Sequence, residues 1–329
     1  MSAVATGIGS YPGEDAEAYG EAVRSVLDLV PELPHLPEMP GRGATAGMTG
    51  RAVGILAELG ADLQPAGWRL TGAAPGVDQR RARSLLAQDL DAFEEQTQGY
   101  VGRLKVQVTG PWTLAATVER PRGDRILADH GGRRELAQAL AEGLRDHIAD
   151  VKRRVPGAEL VVQVDEPALP AVLDGGVPTA SGFHRHRSVD APLASPALEW
   201  VMAAISESGA TPVVHCCTSD VPLSLLTGAG ARGISVDLSV LDAGGYDGLA
   251  EVMESGRMLM LGVVPATDPA SPPDEGAVTE RVLRLLDMLG LDPDSAGDLV
   301  LTPSCGLAGA SRGWARRAYE LSARAARNL

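Results

Sequence analysis

Three cysteines and one histidine carry the most distinctive chemistry in the chain. His215, Cys216 and Cys217 are consecutive, and Cys305 lies far downstream. Such a set cannot build a disulfide framework, and in a reducing compartment it suits metal ligands or reactive thiols. The histidine and its two neighbours end a β-branched run, Thr211 to Cys217. Side chains alternate along a strand, so His215 and Cys217 share one face and Cys216 points to the other. Cys305 and a carboxylate from neighbouring strands would then complete a four-ligand N/S/O site of the kind zinc favours. Ligands gathered from separate segments suit a catalytic site better than a zinc finger.

The elements that must position these residues follow from hydrophobic period. Short apolar runs predict strands at Ala5 to Ser10, Pro34 to Glu38, Leu104 to Thr109, Glu159 to Asp165, Thr211 to Cys217, Gly233 to Leu238, Met258 to Val264 and Leu299 to Ser304. Three- and four-residue spacing predicts helices over Val77 to Gln98, Arg134 to Arg154, Ser195 to Ser208, Tyr246 to Ser255, Gly276 to Leu289 and Ser311 to Leu329. Eight strands alternating with helices in 329 residues predict one α/β domain over 1–329, a single (β/α)8 TIM barrel. Prolines in Leu33-Pro34-His35-Leu36-Pro37-Glu38-Met39-Pro40 forbid a regular ladder in the second strand. Polar residues collect at the strand ends: Ser10, Glu38, Thr109, Asp165-Glu166, His215 and Cys217, Asp237, and Cys305. In a barrel these ends converge on the face that carries active sites, and the irregular stretch 170–194 would sit there as a lid loop. Singly, each residue has a plain structural reading, such as core cysteine, helix cap or solvated pair; their joint placement favours a site. His130 and His147, in charged helical surroundings, are expected at the surface, and His184 and His186 in the lid loop.

Composition removes other functions. With 29 basic against 43 acidic residues the net charge is −14, and aromatics are only 3%, which argues against nucleic acid. No apolar run approaches the roughly 18 residues of a membrane span, and the N-terminus lacks a signal-peptide pattern, so a cytoplasmic protein without a membrane partner is expected. The two lysines, Lys105 and Lys152, follow Leu104 and Val151, which excludes the Gly-Lys step of a phosphate loop. Pro12 spoils a dinucleotide fingerprint after Gly7-Ile8-Gly9.

In order along the chain, Ile8-Gly9-Ser10-Tyr11-Pro12, Thr109-Gly110-Pro111, Asp165-Glu166-Pro167-Ala168-Leu169, His215-Cys216-Cys217 and Ser304-Cys305-Gly306-Leu307 resemble the motifs of the catalytic barrel of cobalamin-independent methionine synthase, within the uroporphyrinogen decarboxylase/methionine synthase-like superfamily. The resemblance implies a zinc-dependent S-methyltransferase of methionine biosynthesis. Zinc would be held by His215, Cys217, Asp237 and Cys305, and homocysteine by Ser10, Glu38 and Asp165. Zinc lowers the pKa of a coordinated thiol, which then attacks a methyl group in line. Asp165 and Glu38 suit an ammonium, and Ser10 with nearby N–H groups suits a carboxylate.

Three departures follow from the same resemblance. Asp237 stands where the family has glutamate. Thr267 stands where the family has a proton-transferring histidine, which leaves Asp268 as the substitute. The family's full-length enzyme has a second barrel that helps bind methyltetrahydrofolate polyglutamate, so the methyl donor is open between 5-methyltetrahydrofolate and a methylcorrinoid, the latter with a corrinoid protein as partner. Alternatives are another zinc-thiol alkyl transfer, of the epoxyalkane–coenzyme M or corrinoid–thiol type, and a non-catalytic zinc- and thiol-binding barrel.

Overall fold

The computed structural model describes residues 3–290 and 299–329. Nine strands are seen among these residues: β1 Val4–Ala5, β2 Gly60–Gln64, β3 Gly67–Gly72, β4 Gly102–Thr109, β5 Ala158–Asp165, β6 Thr211–Cys216, β7 Gly233–Asp237, β8 Met258–Val264 and β9 Leu299–Pro303. Seven form one parallel sheet in the order β1-β9-β8-β7-β6-β5-β4.

The gap between β1 and β4 is closed by residues 34–38 through two isolated bridges, Ser10 with Glu38 and His35 with Lys105. Backbone bonds run from Tyr11 N to the Glu38 carbonyl at 2.8 Å and from Leu36 N to the Lys105 carbonyl at 2.9 Å. The sheet is thus curled into a TIM-like barrel whose second stave is a proline-broken segment. Pro34 and Pro37 lack the N–H groups that a full ladder needs. The first stave is also shorter than Ala5 to Ser10, since regular pairing stops at Ala5.

The antiparallel β2–β3 hairpin was absent from the expected strands. Its sequence, Gly-Ala-Asp-Leu-Gln and Gly-Trp-Arg-Leu-Thr-Gly, has too little β-branched content to stand out.

Helices cover the outside: α1 Ala16–Leu29, α2 Met48–Ile55, α3 Val77–Gln96, α4 Pro111–Thr117, α5 His130–Arg154, α6 Leu169–Leu173, α7 Ala191–Glu207, α8 Leu223–Gly228, α9 Ala243–Glu254, α10 Glu275–Met288 and α11 Arg312–Arg327. Several begin where a short polar side chain caps the first turn, as Asp15, Asp129, Asp242, Asp274 and Ser311 do. None of the described helices is long and apolar enough to cross a membrane.

Two cores result from strand alternation. Val162, Val164, Val214, Val236 and Leu261 join the helices in the large outer layer, while Leu33, Val161, Val213, Met258, Met260 and Val300 plug the barrel from within. Following β5 inward-facing positions, Val161 gives way to Gln163 and then Asp165; along β6, Val213 gives way to His215. The barrel interior is therefore apolar at one end and polar at the end where the strands finish.

One expectation is corrected. His147 is buried rather than at the surface, because α2 and α3 pack on that side of α5. Burial, with the Arg51 guanidinium adding to it, pushes its imidazole down to about 4.

Candidate active site

His215, Cys217 and Cys305 come together at the polar end, with one ligand atom from each lying within 4.8 Å of the others. β6 delivers the histidine and the residue just beyond its end delivers Cys217, while the turn after β9 delivers Cys305. Cys216 falls on the opposite strand face, buried, with its sulfur 3.3 Å from Thr218 Oγ1. The Cys217 and Cys305 sulfurs are 3.3 Å apart. Their shared hydrogen bond, helped by His215, pulls the Cys305 thiol down to about 4, and the same contact together with burial pushes Cys217 up.

His215 is oriented by Ser235 on the adjacent strand, whose Oγ lies 3.0 Å from Nδ1. Its other ring nitrogen, Nε2, is buried with no hydrogen-bond partner. A buried nitrogen with no partner beside two sulfurs fits a metal ligand set, since such atoms otherwise cost free energy. The N/S/S donors suit zinc, and the Ser235 contact is the outer bond that metal-ligating histidines usually make.

At the same barrel end lie Ser10, Glu38 and Asp165, the last in register with His215 on the neighbouring strand. Ser10 and Glu38 face each other through their bridge, and Ser10 Oγ accepts from Ala308 N at 3.3 Å. Gly306 leaves room for Ser10 Oγ in this position, since a Cβ there would push the hydroxyl aside. Asp165 Oδ1 accepts from Gln163 Nε2 at 2.7 Å, and burial pushes its carboxyl up to about 7 against the opposing pull of His215. Glu38 pairs with Arg51 at 3.0 Å, and Arg51 also binds Asp89 at 3.0 Å, which Arg42 clamps from a second side at 2.7 Å. All four of these side chains are buried or nearly so.

The remaining expected residues lie differently. Asp237 ends β7 next to β6, but its Oδ1 accepts from Ser239 N at 2.8 Å and from Ser239 Oγ at 2.6 Å, outside the His/Cys/Cys group. Asp268 is exposed and receives two bonds from Ser311, the N-cap of α11, which hold its carboxyl below the usual range. In segment 170–194, Ala180 N donates to Asp124 Oδ1 at 2.7 Å and His186 Nε2 sits 3.3 Å from the same oxygen, so the segment is tied to the 119–125 turn.

Sequence reasoning placed Glu166 at its strand end without its role, and missed other residues. Glu166 does not belong to a solvated pair: it is fully buried and accepts from Trp112 N, Thr113 N and Thr113 Oγ1, capping α4, with Gly110 leaving room for its carboxylate. Lys105, Gln163 and Ser235 were also missed, although alternation along their strands places each on the inward face with Gln107, Asp165 and Asp237. Arg51 and Asp89 carry no such signal, since only packing of α2 on α3 brings them to Glu38.

These features define a parallel α/β barrel enzyme with a His/Cys/Cys cluster at the C-terminal ends of its strands. The profile of the cobalamin-independent synthase catalytic domain matches residues 86–328, and the chain belongs to that family of methyltransferases. Among solved structures, a B12-independent methionine synthase from Shewanella sp. W3-18-1, in complex with selenomethionine, aligns over 99% of this chain and 97% of that one, with 16% identity and a TM-score of 0.64. A β-galactosidase from the psychrophilic Marinomonas ef1 aligns more loosely, over 98% of this chain and 58% of that one, with 11% identity and a TM-score of 0.49. No curated protein matches the chain.

Proposed function

We propose that the protein is a zinc-dependent methyltransferase that converts homocysteine to methionine, with 5-methyltetrahydrofolate as the methyl donor. The observation that carries this reading is the convergence of His215, Cys217 and Cys305, with His215 Nε2 buried and unpartnered. Zinc bound by these residues would supply Lewis acidity that keeps a substrate thiol deprotonated near neutral pH. Asp237 is the fourth candidate ligand, and its commitment to Ser239 makes it a weak one.

The chain's own residues provide orientation. Asp165 and Glu38 present carboxylates for the substrate ammonium, and Ser10 with the Leu307 and Ala308 turn packed on it faces the substrate carboxylate. The sulfur–carbon bond forms as the methyl–donor bond breaks, and the departing group keeps the electron pair and takes a proton. Asp268 is the carboxyl group nearest in sequence to the end of β8 that could relay that proton. Its two hydrogen bonds from Ser311 must loosen first. A sulfonate thiol such as coenzyme M fits poorly, since Arg51, the guanidinium beside Glu38, is already consumed by two carboxylates. The family's independence of cobalamin favours folate over a corrinoid protein.

The test is to load the protein with zinc, to about one per chain, and to assay homocysteine with 5-methyltetrahydrofolate, with methylcobalamin, and with coenzyme M replacing homocysteine. Methionine from the folate reaction is expected. A fully loaded protein that makes no methionine from either donor would overturn the reading in favour of a binding protein.

A further inference from the structure

The first stave of the barrel is interrupted between Ala5 and the Ser10 bridge, so the Ile8 carbonyl lies outside the ladder. Two buried side chains reach it across the barrel interior, Lys105 Nζ at 2.8 Å and Gln163 Nε2 at 2.9 Å. The Gln163 amide also binds Asp165 Oδ1, and Lys105 Nζ lies 3.3 Å from Gln107 Oε1, whose own amide binds the Leu36 carbonyl at 2.6 Å. Four staves are joined by this one set of contacts.

A neutral amide would satisfy the Ile8 carbonyl, and Gln163 already does. A fully buried ammonium is expensive to place there, and burial pulls it down to about 7. The charges that hold it positive are the carboxylates of Asp165 and Glu38. The ammonium therefore answers to the two acids as much as to the backbone.

We infer that Lys105 is a positioning residue for the amino-acid pocket: by way of the Ile8 carbonyl and Gln163 it sets Ser10 and the Asp165 carboxylate in one arrangement and offsets the charge of Asp165 and Glu38. This rests on the proposed function, in which those three residues hold the substrate's amino and carboxyl groups. Lys105 itself touches no substrate.

The experiment compares zinc-loaded wild type with Lys105→Met, which keeps length and removes charge and donor, and with Lys105→Gln, which keeps a neutral donor should the methionine variant fail to fold. Homocysteine KM should rise about tenfold or more. In contrast, kcat should change by less than about threefold, bound zinc should be unchanged, and 1-propanethiol, which offers a thiol and nothing else, should bind all three proteins equally. Amide exchange in a peptide covering 7–12 should quicken while α11 stays protected. Unchanged KM and exchange would overturn the inference, as would parallel loss of zinc, kcat and propanethiol binding, which marks a merely structural lysine. If wild type does not bind homocysteine yet exchange at 7–12 quickens in the variants, the functional reading fails while the hold of Lys105 on the Ile8 segment stands.

Discussion

The two halves of the barrel mouth are built by different means. On the β6 to β9 side regular ladders run throughout but for one register shift at Gly262–Val264, and the candidate ligands are aimed chiefly by strand geometry: His215 and Cys217 share a face, Ser235 steadies the histidine from the next strand, and Cys305 follows β9. On the side of β1, residues 34–38, β4 and β5, the ladder is broken by proline, and buried charged groups replace it. Glu38, Arg51, Asp89 and Arg42 form one chain of contacts, and Lys105, Ile8, Gln163 and Asp165 form another. A regular sheet can place a ligand with few supporting residues. An irregular stave must satisfy its free backbone groups with side chains, and those side chains then shape the pocket.

Breaking the metal half should have the largest effect. Cys217→Ser and Cys305→Ser should each lose zinc and lower methionine formation by on the order of a thousandfold, measured by metal analysis and initial rates. Cys216→Ser should retain both, and equal losses in all three would contradict the alternation argument. On the other half, Arg51→Met strands the buried Glu38 carboxylate, while Asp89 keeps its two-point contact with Arg42, and should cost about 3–5 kcal/mol of stability in urea unfolding, with the zinc content of the folded fraction unchanged. Zinc loss in parallel with stability would show that the halves are not separable.

A smaller effect is expected from His147, which lies beside Arg51. Its folded pKa of about 4 is below the unfolded value of about 6.5. Its contribution is therefore complete above pH 6.5 and is lost as pH falls toward 4, because only the unfolded chain takes up the proton. His147→Leu should flatten the stability–pH curve in that window by at most about 1.4 kcal/mol per pH unit, and an unchanged slope would refute the assignment. The smallest change belongs to Asp237→Ala. With Oδ1 given to Ser239, its removal should weaken zinc binding by about tenfold, the range of supporting contacts rather than of a thiolate ligand; a loss as complete as that of Cys217→Ser would make it a full ligand.

Legibility in the sequence followed the same division. The strand ends from Leu104 to Ser304 and the helices α3, α5, α7, α9, α10 and α11 lie within a few residues of their expected bounds, since long periodic segments bury continuous faces, whereas the short α4, α6 and α8 were not among the expected helices. The proline-rich second stave was expected to be irregular and is. The β2–β3 hairpin, the burial of His147 and the capping role of Glu166 were not legible, because each depends on what packs against an ordinary surface pattern.

The sequence by itself determined the alternating strands and helices, the pairing of His215 with Cys217 on one face and the exclusion of Cys216, because these follow from backbone geometry within a few residues. Only the tertiary structure decided which carboxylates are free for a ligand and which are consumed. Glu38 gives one oxygen to Arg51 and keeps the other for a ligand, whereas Glu166 is taken up by the first turn of α4, Asp237 by Ser239 and Asp268 by Ser311. The strength and direction of a charge depend on its neighbours in space and on its burial, neither of which local sequence records.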